Sequence, residues 1–325
     1  MRVLIVRLSS LGDVVHAAPV LVDIHRACPG ARIDWVVEEA FVPLARCLTG
    51  IERIVPIALR RWRQAPLAAR TEIGAFWQSL RSESYDAVLD LQGLVKSAVV
   101  TRAARLTPSG RRHGLANRTD GSAYEPLARW AYGHAVTMPA RIHVVDRSRE
   151  LAACALGYRI DGAPCVPWQP PPLEPRDARW ADPRGVLLVH GSAKAVKLLS
   201  TGFWASLGRE LAAQGAQPLV PWGNAEERER AEQIVRAIGG QAAVLPRLPL
   251  DRLAAVMTRL HGAIGLDTGL THMAATLARP TVQLFIEDKA WRAAAYWEPN
   301  TAVLQAEGGQ APTAGSVLQA WGRVA

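Results

Sequence analysis

Three patterns that would assign the chain to a common class are missing from its 325 residues. The junction between Leu8 and Val14 lacks the Gly-x-Gly-x-x-Gly fingerprint, which argues against a dehydrogenase. No stretch approaches the roughly 18 uncharged apolar residues that a membrane span requires. The N-terminus also lacks a signal-peptide pattern, because strand-like Val3–Leu8 is followed at once by small and polar residues. We therefore expect a cytoplasmic protein without a transmembrane segment.

Cysteine is scarce, and its positions form no recognisable pattern. Cys28, Cys47, Cys154 and Cys165 show neither Cys-x-x-Cys spacing nor a neighbouring histidine cluster. This scatter argues against both a zinc site and a disulfide framework. We expect the four side chains to be buried as small hydrophobic groups.

Acidic residues are outnumbered by basic ones, which leaves a net charge of +9. Such an excess favours a polyanionic partner, either nucleic acid, anionic lipid or a phosphorylated substrate. One basic cluster, Arg60-Arg61-Trp62-Arg63, follows a strand-like segment. Further arginines of the same half are Arg105, Arg111, Arg112 and Arg118. The alternative is a solvated charge run that binds nothing.

Apolar runs of strand length alternate with helical spacing in both halves of the chain. The predicted strands are Val3–Leu8, Arg32–Val37, Ile54–Leu59 and Ala87–Leu91, then Gly185–His190, Gln217–Pro221, Ala243–Leu245, Gly262–Leu266 and Thr281–Phe285. This alternation predicts an α/β fold with two parallel, doubly wound sheets. Prolines interrupt the pattern and cannot continue a helix or a central strand. We predict domains at residues 1–163 and 177–312, joined by a Pro-rich linker at 164–176.

Asp13 lies where the first apolar strand gives way to a helix. Apolar residues at helical spacing follow it, so Asp13 belongs to the first helical turn. Loops of this kind line the ligand cleft of open α/β sheets, which makes the carboxylate a candidate functional group. The alternative is that Asp13 only caps the helix and complements its dipole.

Three loops of the second half also follow predicted strands. Asp267-Thr268-Gly269 leads into an apolar helix, whose free N–H groups suit a diphosphate. The loop at 190–197 offers the ammonium groups of Lys194 and Lys197 to the same anion. The third loop places Glu227 where it can accept hydrogen bonds from a ribose, with Trp222 beside the nucleotide. Helix capping, exposed loop lysines and a favourable first-turn glutamate are the ligand-free explanations.

Separated motifs, in one order along nearly the whole chain, resemble the bacterial lipopolysaccharide heptosyltransferases of glycosyltransferase family 9. They are Leu8-Ser9-Ser10-Leu11-Gly12-Asp13, Arg60-Arg61-Trp62-Arg63, Asp90-Leu91-Gln92-Gly93-Leu94-Val95-Lys96-Ser97, Pro221-Trp222-Gly223 and Asp267-Thr268-Gly269-Leu270-Thr271-His272. The resemblance implies a GT-B fold, with two Rossmann-like domains facing across a cleft and a C-terminal helix, 313–325, packing back on the first domain. It also implies inverting transfer of L-glycero-D-manno-heptose from ADP-heptose to the inner Kdo of Kdo-lipid A.

The resemblance further implies roles for individual residues. Asp13 matches the general base and Lys197 the phosphate-binding lysine, and both are taken as catalytic. His272 is expected to donate to phosphate or heptose. The implied donor site comprises Ser192, Lys194, Trp222, Glu227, Asp267, Thr268, Gly269, Leu270 and His272. The implied acceptor site comprises Gly12, Arg60, Arg61, Arg63, Lys96 and Arg118.

Inversion fits these roles, because a base must deprotonate the acceptor on one face of the sugar while cations neutralise the departing diphosphate on the other. The Asp-x-Asp pattern that holds a metal in other sugar transferases is absent, so we expect no cofactor and no obligatory metal. The expected partners are ADP-heptose and Kdo-lipid A, met by peripheral association with the cytoplasmic face of the inner membrane. Neither nucleic acid nor an oligomer is required.

Three positions depart from the family pattern. Ile286-Glu287-Asp288-Lys289 replaces a Gly-Pro-Thr-Asp-Pro-like turn at which the family contacts the transferred sugar. Tyr124 replaces an arginine before Glu-Pro, and Arg118 is a candidate for that lost contact. Leu199-Ser200 replaces Trp-Pro in the lysine loop.

Two other function classes remain open at this point. One is a hydrolysing or epimerising nucleotide-sugar enzyme of similar architecture, and the other is a non-enzymatic lipid- or nucleic-acid-binding module that uses the +9 charge. Within the family, the arginine block favours the enzyme that adds the first heptose over the one that adds the second. The inner Kdo acceptor of that first reaction carries more adjacent negative charge.

Overall fold

The computed structural model describes residues 1–308 and 310–325. The chain forms two compact units, Met1–Gln169 and Pro170–Ala325. Each unit contains one six-stranded sheet in which every strand pair is parallel. The predicted α/β class with two doubly wound sheets is therefore confirmed.

The first unit contains six strands and seven α-helices. The strands are β1 Arg2–Val6, β2 Arg32–Glu38, β3 Arg53–Ile57, β4 Ser84–Asp90, β5 Arg105–Leu115 and β6 His134–Val136. The helices are α1 Leu11–Ala17, α2 Pro19–Ala27, α3 Val42–Ala45, α4 Leu59–Gln64, α5 Arg70–Leu80, α6 Val95–Ala103 and α7 Val144–Leu156. The strand order is β3-β2-β1-β4-β5-β6, so its direction reverses between β1 and β4. Loops that leave these two strands diverge there, which is where open α/β sheets bind ligands.

The described part of the second unit repeats this plan with six strands and six α-helices. The strands are β7 Gly185–Val189, β8 Gln217–Val220, β9 Ala243–Val244, β10 Gly262–Leu266, β11 Thr281–Phe285 and β12 Thr301–Gln305. The helices are α8 Thr201–Ala213, α9 Ala225–Ile238, α10 Leu250–Met257, α11 Gly269–Thr276, α12 Ala290–Ala293 and α13 Ala314–Val324. The order β12-β11-β10-β7-β8-β9 reverses between β7 and β10. The loops after these strands carry Lys197 and Asp267.

The central strands form because both of their faces are covered. Strand β1 shows this, since four consecutive side chains in it are inaccessible to solvent, namely Val3, Leu4, Ile5 and Val6.

Ser200 accepts a hydrogen bond from the Phe203 N–H at 3.1 Å and so caps α8. The serine that departs from the family pattern therefore has a structural role at this helix start.

The predicted linker is divided between the two units, whose boundary lies between Gln169 and Pro170. Its first part is fixed to the first unit, because the Thr49 N–H donates to the Pro167 carbonyl and the Gln169 N–H donates to the Cys47 carbonyl. Beyond the boundary, Asp177 accepts from the Arg252 guanidinium at 2.7 and 2.5 Å. The stretch is thus anchored at both ends.

Helix α13 packs within the second unit. Val317, Ala320 and Trp321 are buried in the same apolar cluster as β10 and β11, and the helix contacts α8, β11 and β12. That residues 313–325 also pack back on the first domain stays a prediction.

Two further expectations concern cysteines and membrane spans. Only Cys47 is buried; Cys28 is half-buried and Cys154 and Cys165 are exposed, so the expectation of four buried thiols is confirmed for Cys47 alone. Within the described ranges, no helix is both long and apolar enough to cross a bilayer.

Candidate active site

The Asp13 carboxylate is held by three donors at the start of α1. One oxygen accepts from the Ser10 N–H at 2.8 Å and from the Ser10 hydroxyl at 3.0 Å, while the other lies 2.6 Å from the Arg7 guanidinium. Burial raises the pKa of Asp13, but the charges of Arg7 and His16 and the Ser10 hydrogen bonds outweigh it and lower that pKa to about 2. The side chain is 28% exposed and remains reachable.

Arg7 joins the ends of the two central strands to this carboxylate. It directly follows β1, is 4% exposed, and donates to the Leu91 carbonyl after β4 at 2.5 Å. The Leu8 N–H donates to the Gln92 side chain at 2.9 Å, so the two loops are fixed to each other. Arg7 therefore positions Asp13 relative to the loop that follows β4.

The loop after β4 is itself fixed by a buried carboxylate, Asp90. It accepts from the N–H groups of Gln92 and Gly93 at 2.9 and 3.0 Å and from the Tyr132 hydroxyl at 2.7 Å. Burial raises the pKa of Asp90, although these hydrogen bonds oppose it. Gly93 has φ +76°, a conformation that favours glycine. The hydrogen bonds of Asp90 and the backbone conformation of Gly93 therefore fix the course of the loop after β4.

Basic side chains surround Lys96 at the start of α6. Its ammonium donates to the Ser9 hydroxyl at 3.0 Å, one residue before Ser10. Burial lowers the pKa of Lys96, the positive charges of Arg63, Arg60 and Arg7 lower it further, and Glu38 opposes them. Several predicted acceptor residues are therefore brought together near Asp13.

Arg61 differs from its neighbours in α4. Its guanidinium pairs with Glu39 at 2.9 Å and with Glu72 at 2.8 Å. These hydrogen bonds raise the pKa of Arg61. Arg60, Arg61 and Arg63 are all exposed, but the Arg61 guanidinium also ties α4 to Glu39 and Glu72. Its predicted role as an acceptor contact stays a prediction.

In the second unit, Lys197 lies at one end of a series of polar side chains joined by hydrogen bonds and an ion pair. Lys197 is 9% exposed and forms an ion pair with Asp267. The other Asp267 oxygen lies 3.0 Å from His272 Nε2, and His272 Nδ1 lies 3.2 Å from the Gln283 amide nitrogen. Gln283 Oε1 accepts from the Ala295 N–H at 2.9 Å, which orients the amide so that its nitrogen donates to His272. His272 Nε2 then carries the hydrogen that Asp267 accepts.

Burial raises the pKa of Asp267, but the hydrogen bond from His272 and the charge and hydrogen bond of Lys197 lower it far below its usual range. Asp267 is therefore an anion that fixes the Lys197 ammonium. His272 was expected to donate to phosphate or heptose, but both of its ring nitrogens engage protein groups. His272 positions Asp267, and its contact with phosphate or heptose stays a prediction.

The start of α11 adds backbone donors beside Lys197. Thr268 is the N-cap, and its hydroxyl is buried without a hydrogen-bond partner among the described residues. Gly269 and Leu270 form the first helical turn, whose N–H groups are free to bind an anion. A Cβ at Gly265 would lie 2.3 Å from the Thr271 hydroxyl, so only glycine permits this close helix–strand approach.

Glu227 lies beside the loop that follows β7. Its carboxylate accepts from the Gly223 N–H at 2.7 Å, and a Cβ on Gly191 would approach it to 2.8 Å. The Trp222 indole donates to the Leu245 carbonyl at 2.8 Å, and the Arg228 guanidinium lies 5.4 Å from its ring centroid. Three predicted donor loops therefore end at the same edge of the second sheet.

The model of "Glycosyltransferase family 9 (heptosyltransferase)" matches residues 73–319. The chain belongs to glycosyltransferase family 9. It is therefore a glycosyltransferase with two six-stranded parallel sheets of the GT-B type.

Similar proteins agree with this placement. The chain is 39% identical over 289 residues to lipopolysaccharide heptosyltransferase 1 of Pseudomonas aeruginosa, which covers 88% of this chain and 78% of the relative. Two solved structures of the Escherichia coli heptosyltransferase WaaC match all of both chains. The form with ADP has 34% identity and a TM-score of 0.84, and the form with ADP-2-deoxy-2-fluoro heptose has 33% identity and a TM-score of 0.81.

Other predicted site residues of the glycosyltransferase are less closely tied to these clusters. Gly12 lies in the first turn of α1, next to Asp13. Ser192 accepts from the Lys194 N–H at 3.2 Å, and Lys194 is 61% exposed. Arg118 is exposed on the segment after β5, and its role as an acceptor contact stays a prediction. Within the described ranges, no group of three His, Cys, Asp or Glu side chains is arranged to hold a metal.

Neither Arg7 nor Gln283 was predicted from the sequence as a site residue. Both are polar residues within apolar runs, and a buried polar group requires a partner. That signal was available, because Arg7 interrupts the predicted strand Val3–Leu8 and Gln283 lies inside Thr281–Phe285. Their partners were not predictable, since Arg7 contacts a carbonyl 84 residues away.

The pH profile of the glycosyltransferase is expected to reflect the Arg7–Asp13 pair. With a pKa of about 2, Asp13 stays ionised throughout the neutral range, so its protonation produces no acid limb near pH 5. Arg7→Gln removes a cause of the lowered pKa, so an acid limb in kcat/KM is expected at higher pH than in the wild type. Arg70→Gln, at an exposed position, is the matched control. An identical acid limb in all three proteins would contradict the assignment.

Proposed function

We propose that this glycosyltransferase moves L-glycero-D-manno-heptose from ADP-heptose to the inner Kdo of Kdo-lipid A, with inversion at the anomeric carbon. The observation that carries the proposal is the buried Lys197–Asp267 pair at the start of α11. It offers a fixed cation and free helix N–H groups to a diphosphate. Support comes from WaaC, whose solved structures contain ADP and a fluorinated ADP-heptose.

The donor half of the proposed reaction uses Lys197 and the α11 start. As the bond between the anomeric carbon and the diphosphate breaks, negative charge grows on the departing oxygen. Lys197 and the N–H groups of Gly269 and Leu270 stabilise that charge without a metal, because their positions are fixed before the reaction. Glu227, next to Gly191 and Gly223, accepts hydrogen bonds from the ribose hydroxyls.

The acceptor half uses Asp13. A carboxylate with a pKa of about 2 is a weak base toward an unreacted hydroxyl. The hydroxyl becomes strongly acidic once its oxygen has begun to bond to the anomeric carbon, so Asp13 takes the proton late in the step. Arg60, Arg63 and Lys96 supply positive charge for the acidic acceptor sugar.

Release of ADP from ADP-heptose, measured with and without Kdo-lipid A, tests this function. We expect release only when the acceptor is present, and only slow release from other ADP- and UDP-sugars. Acceptor-independent release would favour a hydrolysing or epimerising enzyme. Release that requires an acceptor already carrying one heptose would favour heptosyltransferase II. Absence of any nucleotide-sugar binding in calorimetry would favour a binding module.

We also propose peripheral association with an anionic membrane, namely the cytoplasmic face of the inner membrane. Residues 1–169 contain 22 lysines and arginines against 15 carboxylates, so this unit carries +7 of the net +9. In the 3₁₀ helix Pro126–Ala131, residues three apart share a face. Ala128 and Ala131 are buried, while Leu127 and Trp130 are 75% and 55% exposed. Exposed tryptophan beside arginine suits the headgroup region.

Vesicle sedimentation tests this association. The double variant Leu127→Ser/Trp130→Ser is expected to bind phosphatidylglycerol vesicles about tenfold more weakly, because two large apolar side chains no longer enter the interface. Added salt should weaken the wild type further, since each nearby arginine contributes about 1 kcal/mol. Tyr296→Ser, at an exposed position of the second unit, is the control. Binding that resists both salt and the double substitution would overturn the proposal.

A further inference from the structure

The turn after β11, where the chain departs from its family, places a carboxylate among three lysines. Glu287 Oε2 lies 3.7 Å from the Lys194 ammonium and 3.8 Å from that of Lys197. The other oxygen of Glu287 forms an ion pair with Lys289. Glu287 Oε2 is buried and accepts no hydrogen bond from any described residue. This oxygen therefore acts on the neighbouring lysines through its charge and not through a hydrogen bond.

The turn itself is fixed on its far side. Asp288 accepts from the Gln305 amide at 2.9 Å, and Gln305 Oε1 accepts from the Ala290 N–H at 3.0 Å. These bonds to β12 hold the backbone on both sides of Lys289. The hydrogen bond from Lys289 lowers the pKa of Glu287, and the charges of the three lysines outweigh the opposing effect of burial. The carboxylate is therefore held in place and stays ionised at neutral pH.

Glu287 and Asp267 together offset two of the three positive charges. Asp267 pairs with Lys197 and positions it, so that negative charge already has a function. The Glu287 charge is shared among Lys194, Lys197 and Lys289, and it adds a second anion beside the proposed diphosphate site, which repels the ligand. Its effect must depend on how much negative charge the ligand carries.

We propose that Glu287 lowers the affinity of the site for the product nucleotide more than for the sugar-linked donor, and so favours product release. This inference rests on the proposed function, in which Lys197 binds the diphosphate of ADP-heptose. In the donor, one phosphate is esterified to the ribose and the other to the heptose, so each carries a single ionisable oxygen. After transfer, the terminal phosphate of ADP carries an additional ionisable oxygen, so ADP is more negative at about pH 8. A fixed carboxylate beside that phosphate repels the product more strongly than the donor.

Calorimetric titration of the full-length chain with ADP and with ADP-2-deoxy-2-fluoro heptose tests the proposal. Glu287→Gln keeps the shape of the side chain and removes its charge. We expect ADP to bind about tenfold more tightly and the fluorinated donor about threefold more tightly. These factors follow from Coulomb repulsion at an effective dielectric constant between that of water and that of a buried site. ADP should likewise become a stronger product inhibitor during turnover. At about pH 5.5, where the terminal phosphate is protonated, the two effects should converge.

Two further variants make the result specific. Asp288→Asn removes a neighbouring carboxylate whose contact is with Gln305, and it should leave the ratio of the two dissociation constants near its wild-type value. Lys289→Gln removes a cation from the cluster. It should weaken the binding of ADP more than the binding of the donor analogue, which is the reverse of the effect of Glu287→Gln.

The outcomes separate this inference from the proposed function. If the wild type binds neither ligand, the proposed function fails. If the wild type binds both and Glu287→Gln leaves their ratio unchanged, only the inference fails. Weaker binding of both ligands to a folded Glu287→Gln protein would also overturn it, because Glu287 would then strengthen binding, as a ligand or by positioning its lysine partners.

Discussion

Replacing Asp13 with asparagine is expected to lower kcat by roughly 10²–10⁴-fold, the usual cost of removing a general base. Asparagine still accepts hydrogen bonds from Ser10, so the start of α1 should persist. The donor dissociation constant should change little, because Lys197 and the α11 start are untouched. Steady-state kinetics with ADP-heptose and Kdo-lipid A, together with donor titration, would measure both quantities.

Two controls separate chemistry from structure in this experiment. Ser10→Ala removes one hydrogen bond to Asp13 but keeps the carboxylate and its Arg7 partner, so a loss below tenfold is expected from this smaller perturbation. A thermal melt would report any cost of leaving the buried Arg7 guanidinium without its carboxylate partner. If folded Asp13→Asn retains more than about a tenth of the wild-type kcat, then Asp13 is not the base.

The sequence predicted the strands whose residues are covered on both faces. Val3–Val6 of β1 is inaccessible to solvent and reads as an uninterrupted apolar run. Strand β5, Arg105–Leu115, was not predicted, because Pro108, Gly110 and several arginines hide its pattern and its pairing with β4 shifts register. Strand β12 was also missed, since every residue in it is only half-buried, as expected at a sheet edge.

The site was predictable where a functional side chain lies in the segment that leaves a central strand. Asp267 directly follows β10, whereas Asp13 and Lys197 lie further along the segments that leave β1 and β7. The two strand-order reversals explain why these loops diverge from neighbouring ones. The contacts that set their chemistry were not predictable, because they join residues far apart in sequence. Lys197 and Asp267 are 70 residues apart, and their ion pair arises only when β7 and β10 become neighbours.

Replacing Lys197 with glutamine is expected to lower kcat/KM by about 10³-fold, because two unfavourable changes coincide. The departing diphosphate loses a fixed cation. Asp267, which is 12% exposed and still oriented by His272, then presents an unpaired negative charge to the same phosphates. Wild-type activity should persist in EDTA, since Lys197 rather than a metal is proposed to neutralise the leaving group. Strict dependence on added magnesium would contradict that assignment.

A double-mutant cycle distinguishes the two parts of the Lys197 effect. Asp267→Asn alone should cost about tenfold in kcat/KM, because Lys197 loses the anion that fixes its position. In the Lys197→Gln/Asp267→Asn variant the repulsive charge is also gone, so activity should recover about tenfold relative to Lys197→Gln. Additive losses would mean that the two residues act independently. Recovery would instead show that Asp267 serves the reaction through the lysine, since its charge becomes a disadvantage once that partner is removed.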